Sequence, residues 1–139
     1  MKLIWNKIKA ALDNCSKKNV YELIDENDIE LRYEKFDNIY AIIFTGKKPV
    51  IILDSELPYQ IKEFVLWHEL GHYFMETKQG SYTLFKDSRC KELPANIFAC
   101  LSVGNSVREW MQNGCPENIA YAVYDYLSQN VYEMERYGD

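Results

Sequence analysis

The feature that constrains this chain most is the pentapeptide His68-Glu69-Leu70-Gly71-His72, an HExxH pattern that contains both histidines of the sequence. The segment around it carries a large apolar residue in almost every turn, which predicts a central helix from about residue 55 to residue 77. Residues four apart on a helix lie roughly 40° apart around its axis, so both imidazoles share one face. They can bind one cation there, and Glu69 beside them can take a proton from water.

A two-histidine site needs a third protein ligand, and the sequence leaves several candidates. The chain has no third histidine. Glu92 lies 20 residues after His72, near the start of the next predicted helix. A carboxylate from a second helix would complete the His₂Glu set of open catalytic zinc sites. The alternatives are Asp87 in the preceding loop, Cys90, and Glu76, which we expect to lie too far along the helix axis.

Two simpler interpretations of the HExxH segment compete with a catalytic metal site. The histidines could be hydrogen-bonded core residues, or they could belong to a structural zinc site. Structural sites usually have four protein ligands and favour cysteine, which makes the second interpretation a weaker fit. Gly71 inside the helix costs roughly 1 kcal/mol relative to alanine, which predicts close packing of another backbone at this point.

The pattern of apolar residues predicts an α+β fold. We expect a helix over residues 1–15, and a further helix or an extension of it over 20–24. Alternation and turn signals predict strands over 29–33, 39–45 and 50–53, connected as a three-stranded antiparallel meander that packs on the central HExxH helix. A loop over 80–89 should follow that helix. Further C-terminal helices are expected over 93–103, over 106–113 and from residue 116 onward.

Length and charge limit the classes of function. The 139 residues fit one domain over 1–139, with a core at about 20–103 and a helical C-terminal part at 105–139. Sixteen basic and 21 acidic residues give a net charge of −5, which argues against direct binding of nucleic acid. No apolar run approaches the roughly 20 residues that span a bilayer, and no signal peptide is evident. Four cysteines without a CxxC pair then suggest reduced thiols and a cytoplasmic location.

A second motif adds specificity to HELGH. Residues 92–99 read Glu-Leu-Pro-Ala-Asn-Ile-Phe-Ala, an acidic residue followed by Ala-Asn-x-Phe-Ala. Together with the strand run before the helix, the two motifs resemble the ImmA/IrrE family of metallopeptidases over about residues 20–103. The resemblance implies a small zincin-like α+β domain. It also implies one zinc ion per chain, with another divalent metal as the alternative, held at His68, His72 and Glu92, with Glu69 as the catalytic base.

The resemblance also implies an activity. Characterised members of the family are site-specific peptidases that act on DNA-binding repressors and relieve repression in mobile elements or stress responses. We therefore expect a zinc metalloendopeptidase with a gluzincin-like His₂Glu site and a cytoplasmic protein substrate, a helix-turn-helix repressor. One alternative is a metal-binding module that regulates a partner by binding, although mere metal binding does not need Glu69. Another is a peptidase subunit whose specificity comes from a second chain.

Two departures from the family pattern and one open question concern the site. The family commonly continues with a Leu-Leu-Met-Pro-like run, where this chain has Cys-Leu-Ser-Val-Gly over 100–104. Pro94 requires Glu92 to lie in the first turn of its helix or just before it. Hydrolysis also needs a donor that stabilises the oxyanion. The candidates are Tyr40, Tyr73, Tyr82 and Arg89, and the sequence does not choose among them.

Overall fold

The computed structural model describes residues 2–15, 18–75, 81–85 and 92–130, with the backbone alone for 2, 3 and 81–85. Within these ranges the chain forms six helices and four strands. In chain order they are α1 Lys2–Asp13, α2 Val20–Glu26, β1 Glu30–Glu34, β2 Ala41–Thr45, β3 Val50–Asp54, α3 Tyr59–Met75, β4 Ser81–Phe85, α4 Leu93–Val103, α5 Val107–Gln112 and α6 Glu117–Asn130. The α+β class and the three strands before the HExxH helix are as the sequence predicts.

The strands do not form the predicted antiparallel meander, which is wrong in its connections. The sheet has the order β1-β3-β2-β4, in which β2 and β3 are antiparallel but β1 runs parallel to β3. The link over residues 35–40 passes around the end of β3. There Ser55 N–H donates to the Glu34 carbonyl and Asp54 N–H to the Tyr40 carbonyl, each at 2.8 Å. Alternation of apolar residues identifies a strand but does not say which neighbour it pairs with.

A fourth strand also corrects the prediction, because β4 lies inside the segment expected to be a loop. It runs antiparallel to β2, with Ser81 opposite Thr45 and Phe85 opposite Ala41. Its sequence, Ser-Tyr-Thr-Leu-Phe, is rich in residues that favour strands. Five residues are too few for a clear period, and the strand forms because β2 offers it an edge to pair with.

Helix α3 is the centre of the fold. Nine consecutive residues, Phe64 to His72, are buried, so the helix is covered on every side rather than on one face. The sheet covers it through buried side chains that include Ile43 of β2 and Ile51 of β3. Helix α4 packs along another side. Such all-round burial places the HExxH residues in the interior.

The remaining helices complete the layer around α3 and α4. Helix α1 packs against both of them, and α5 and α6 pack against α4. Gly104 ends α4, as predicted, and its carbonyl accepts a hydrogen bond from the buried Trp110 indole at 3.0 Å. One hydrophobic core runs from Ile8 in α1 to Leu127 in α6. None of the helices that the structure describes is both long and apolar enough to span a bilayer.

Candidate metal centre

Both histidines of the HExxH pattern point the same ring nitrogen at one carboxylate oxygen. Nε2 of His72 lies 3.1 Å from Oε1 of Glu92, and Nε2 of His68 lies 3.5 Å from the same atom. The two rings are edge to face, with centroids 4.9 Å apart. The four-residue spacing on α3 therefore brings the imidazoles together as predicted.

Glu92 reaches the histidines from the beginning of the neighbouring helix. It is the residue immediately before α4, and Pro94 sits in the first turn of that helix. The missing N–H of a proline is tolerated there, because the first turn has no intrahelical partner for it. The prediction that Glu92 lies in the first turn or just before it is confirmed.

The three side chains form a cluster of the size that a metal ion requires. Their ligand atoms all lie within 4.8 Å of one another. In a tetrahedral zinc site with bonds of about 2.0–2.1 Å, neighbouring donors are about 3.3 Å apart. The two distances from the histidine Nε2 atoms to Oε1 of Glu92, 3.1 and 3.5 Å, lie on either side of that value. The residues present thus fit a divalent metal with two nitrogen ligands and one oxygen ligand.

Asn96 holds His68 from behind. The Nδ1 atom of His68 donates to Oδ1 of Asn96 at 2.8 Å, and both side chains are buried. Because an amide oxygen only accepts, this contact places the proton on Nδ1 and leaves Nε2 for the cluster. In the sequence Asn96 stands out only as part of the Ala-Asn-x-Phe-Ala motif. Its four-residue spacing from Glu92 is the signal that puts both side chains on one face of α4.

Gly71 permits the close approach of α4 that the site depends on. A Cβ atom at this position would lie 3.0 Å from Cδ1 of Phe98 and 3.3 Å from Cα of Ala95. The predicted close packing of another backbone against Gly71 is therefore confirmed. This approach brings Glu92 and Asn96 within reach of the histidines.

The electrostatics of the cluster favour the protonation states of metal ligands. Burial lowers the pKa of His68, so its imidazole is neutral at neutral pH. Burial would raise the pKa of Glu92, but its contacts with His68 and His72 outweigh that effect and lower the pKa to about 2. An ionised carboxylate and a neutral imidazole bind a metal without first releasing protons.

Glu69 is a buried carboxyl group beside the cluster. Its side chain is fully buried, and neither oxygen has a hydrogen-bond partner among the described residues. Burial raises its pKa to about 8. Buried polar groups nearly always have partners, so an exception next to three potential metal ligands makes Glu69 a candidate functional residue.

Comparison with known families agrees with this geometry. The model of the peptidase M78 family, described as the IrrE N-terminal-like domain, matches residues 24–103, which is more than half of the chain. The chain belongs to this family. The matched range contains α3 and α4, whereas α1, α5 and α6 lie outside it. It also contains all six residues of the centre: His68, Glu69, Gly71, His72, Glu92 and Asn96. No curated protein matches the chain.

The structure describes only some of the other candidate metal ligands and oxyanion donors in this IrrE N-terminal-like domain. Among the described residues, His68, His72 and Glu92 are the one group of three or more potential ligands close enough to share an ion. Of the proposed oxyanion donors, Tyr40 and Tyr73 are half-buried, and the Tyr73 ring packs on Phe74. The other candidates lie where no side chain is described: Glu76, Tyr82, Asp87, Arg89 and Cys90.

Proposed function

We propose that this chain is a zinc metalloendopeptidase that hydrolyses a peptide bond in a specific cytoplasmic protein, a DNA-binding repressor. The observation that carries the proposal is the convergence of His68, His72 and Glu92 within 4.8 Å, next to a buried carboxyl group without a hydrogen-bond partner among the described residues. Membership in a peptidase family supports the general activity in this proposal, that of a metal-dependent peptidase.

Each residue of the centre has a distinct task in hydrolysis. A metal ion held by His68, His72 and Glu92 would supply Lewis acidity to the substrate carbonyl and to the attacking water. In its ionised form Glu69 accepts the proton of the water on a carboxylate oxygen and later donates it to the nitrogen of the leaving amine. Burial alone favours the neutral form, and the positive charge of a bound ion would favour the ionised one. Its burial keeps bulk water away from that proton. Asn96 orients His68 and takes no part in proton transfer.

The ligand set is the reason for proposing zinc. Magnesium and calcium prefer sites made of oxygen atoms, whereas two imidazoles with one carboxylate are typical of catalytic zinc. Three protein ligands leave a fourth position of a tetrahedron for water or substrate. A structural zinc site would have four protein ligands.

A repressor substrate is supported by charge and by resemblance. The chain carries a net charge of −5, and a DNA-binding protein presents a basic surface, so the two attract each other over long range. The ImmA/IrrE family, which the two motifs resemble, includes peptidases of repressors. A helix-turn-helix protein is accordingly the partner to test first.

The test is cleavage of purified helix-turn-helix repressors by the zinc-loaded protein, followed by mass spectrometry of the products. We expect two fragments from one repressor, whose masses locate a single bond, and no fragments with the Glu69→Gln variant. A stable complex with uncleaved repressor would instead mean regulation by binding. Failure to cleave any member of the panel, with zinc bound, would contradict the proposed substrate class.

A further inference from the structure

A cavity of about 240 Å³ opens directly beside the metal-binding pair His72 and Glu92. Three helices build its other walls: α1 contributes Ile4 and Lys7, α3 contributes Met75, and α4 contributes Pro94 and Ala95. Helix α1 lies outside the range that matches the family. The two residues that it adds are therefore features of this chain rather than of the matched domain.

Besides His72 and the Glu92 carboxylate, which the proposed metal ion would neutralise, the lining combines apolar walls with one positive charge. Ile4, Met75 and Pro94 are apolar, and Lys7 is the one lysine or arginine among the described residues that line the cavity. The Lys7 side chain is exposed, and no ion pair among the described residues includes it. A lysine stem can lie along an apolar wall while its ammonium group stays free to meet an anion.

The size of the cavity suits one side chain. Pockets for drug-sized ligands measure about 300–1,000 Å³, and this cavity is smaller. Because His72 and Glu92 form one wall, whatever fills the cavity lies next to the bond that would be hydrolysed. Its occupant is thus a substrate residue adjacent to that bond.

We propose that this cavity is a specificity subsite for a substrate carboxylate, which pairs with Lys7 while the aliphatic part of the residue contacts Ile4 and Met75. The inference rests on the proposed peptidase function and specifies its substrate. The carboxylate that fits an endopeptidase is the side chain of a glutamate or aspartate. The C-terminus of the substrate chain has the same chemistry, but a preference for it would mean a carboxypeptidase and would contradict the internal cleavage proposed above. Lys7 acts on substrate choice and takes no part in the hydrolytic step.

The test uses small hydroxamate peptides, because a hydroxamate chelates zinc and its binding needs no turnover. Three probes differ in one group: a glutamine amide, a glutamate amide and a glutamine with a free C-terminal carboxylate. Dissociation constants are measured by calorimetry on the zinc-loaded protein. We expect one carboxylate probe to bind about two- to fivefold more tightly than the neutral probe, the range for a partly exposed ion pair. Which of the two is preferred identifies the source.

Substitutions of Lys7 show whether the preference comes from that residue. In Lys7→Met, the preferred carboxylate probe and the neutral glutamine amide should bind with about equal dissociation constants. In Lys7→Glu the preference should reverse, so that a fourth probe, a lysine amide, binds more tightly than the carboxylate probes. Lys9→Met is the matched control, because Lys9 is exposed on the same helix and does not line the cavity. It makes the same change of charge as Lys7→Met and should preserve the preference for a carboxylate.

The outcomes separate this inference from the proposed function. Equal binding of all three probes to the wild-type protein, or a preference that persists in Lys7→Met, overturns the subsite. Binding of no hydroxamate overturns the open metal site on which the subsite depends. A Lys7-dependent preference without hydrolysis of any peptide would keep the subsite and contradict the peptidase. Hydrolysis of a peptide without a Lys7-dependent preference for a carboxylate would keep the peptidase and contradict the subsite.

Discussion

The Nδ1 atom of His68 lies 2.8 Å from Oδ1 of Asn96, and this hydrogen bond decides which nitrogen of His68 faces Glu92. Both partners are almost completely enclosed, with exposed fractions of 0% for His68 and 3% for Asn96. A buried imidazole that lost this partner would be free to rotate or to change its tautomer. Metal sites commonly use such a contact to raise the basicity of a ligand and to fix its ring.

We therefore predict that Asn96→Ala weakens zinc binding by about 10- to 100-fold, the usual effect of removing a partner of a histidine ligand. Asn96→Asp keeps an oxygen acceptor and should retain most of the affinity. Competition with a chromophoric chelator measures both values. The control is Asn113→Ala, because Asn113 donates to backbone carbonyls away from the centre. Equal zinc affinity in Asn96→Ala and wild type would show that the hydrogen bond does not position His68.

Glu92 is the third ligand in our interpretation, and its removal should affect zinc more than the loss of Asn96. A direct ligand contributes more than its neighbour, so Glu92→Ala should lower zinc affinity by more than about 100-fold. The same chelator competition measures this. Asp87→Ala and Cys90→Ala are the matched controls, since these residues are the alternative ligands from the sequence. Unchanged affinity in Glu92→Ala, with a loss in either control, would transfer the ligand role to that residue.

Glu69→Gln tests the base separately from the metal. Glutamine has the same shape but does not accept a proton from water, so kcat should fall by about 10²- to 10⁴-fold while zinc affinity stays within a few-fold. Cleavage of the identified substrate gives kcat, and chelator competition gives the affinity. Glu63→Gln is the control, because Glu63 is an exposed carboxylate on the same helix. Turnover at the wild-type rate in Glu69→Gln would remove Glu69 from the mechanism.

The sequence predicts the centre better than it predicts the sheet. Helical spacing alone places His68 and His72 together, and the fit of a carboxylate from the next helix favours Glu92 while leaving Asp87 and Cys90 open. The spacing of the two histidines is local and is fixed by the pitch of one helix. The carboxylate requires only one contact, between two helices that follow each other in the chain. The parallel pairing of β1 with β3 and the edge position of β4 depend on which strands meet after the chain folds. Residue alternation carries no information about that choice.

The positions of Asn96 beside His68 and of Lys7 at the cavity could not be predicted from the sequence, because both depend on how helices pack. The role of Asn96 follows from the close contact of α4 with α3, and the motif gives its spacing but not its partner. Lys7 reaches the cavity because α1 packs on α3 and α4, a contact between segments at least 46 residues apart, from Asp13 at the end of α1 to Tyr59 at the start of α3. Amphipathic pattern shows that α1 has a buried face but does not show what that face covers.

Gly71→Ala should disturb the centre through the packing of its helices. The added Cβ would meet Phe98 at 3.0 Å and the Ala95 backbone at 3.3 Å, and the backbone yields only if α4 moves. Overpacking typically costs about 1–3 kcal/mol, against a gain of about 1 kcal/mol in helix propensity. We expect a lower free energy of unfolding and weaker zinc binding, measured by denaturant titration and chelator competition.

The variant Phe98→Val provides a check on that explanation. Valine has no δ carbon, so it removes the atom nearest to the added methyl group, and Gly71→Ala should cost less in the Phe98→Val background than in the wild type. A double-mutant cycle measures this coupling. Strict additivity of the two substitutions, or an unchanged zinc affinity in Gly71→Ala, would show that the site does not depend on this contact.

Removal of the metal should destabilise the whole fold, because the proposed ligands come from two helices at its centre. In the proposed site zinc binds only where α3 and α4 are packed together, so it should stabilise the native state by about 2.7 kcal/mol at a free concentration 100 times its Kd. For a chain of this length that corresponds to a rise in Tm on the order of 10 °C. Differential scanning calorimetry of the chelated and the zinc-loaded protein measures the shift, and magnesium at the same concentration is the control. A Tm that is independent of zinc, or a zinc-dependent shift that persists in Glu92→Ala, would contradict a metal site shared by the two helices.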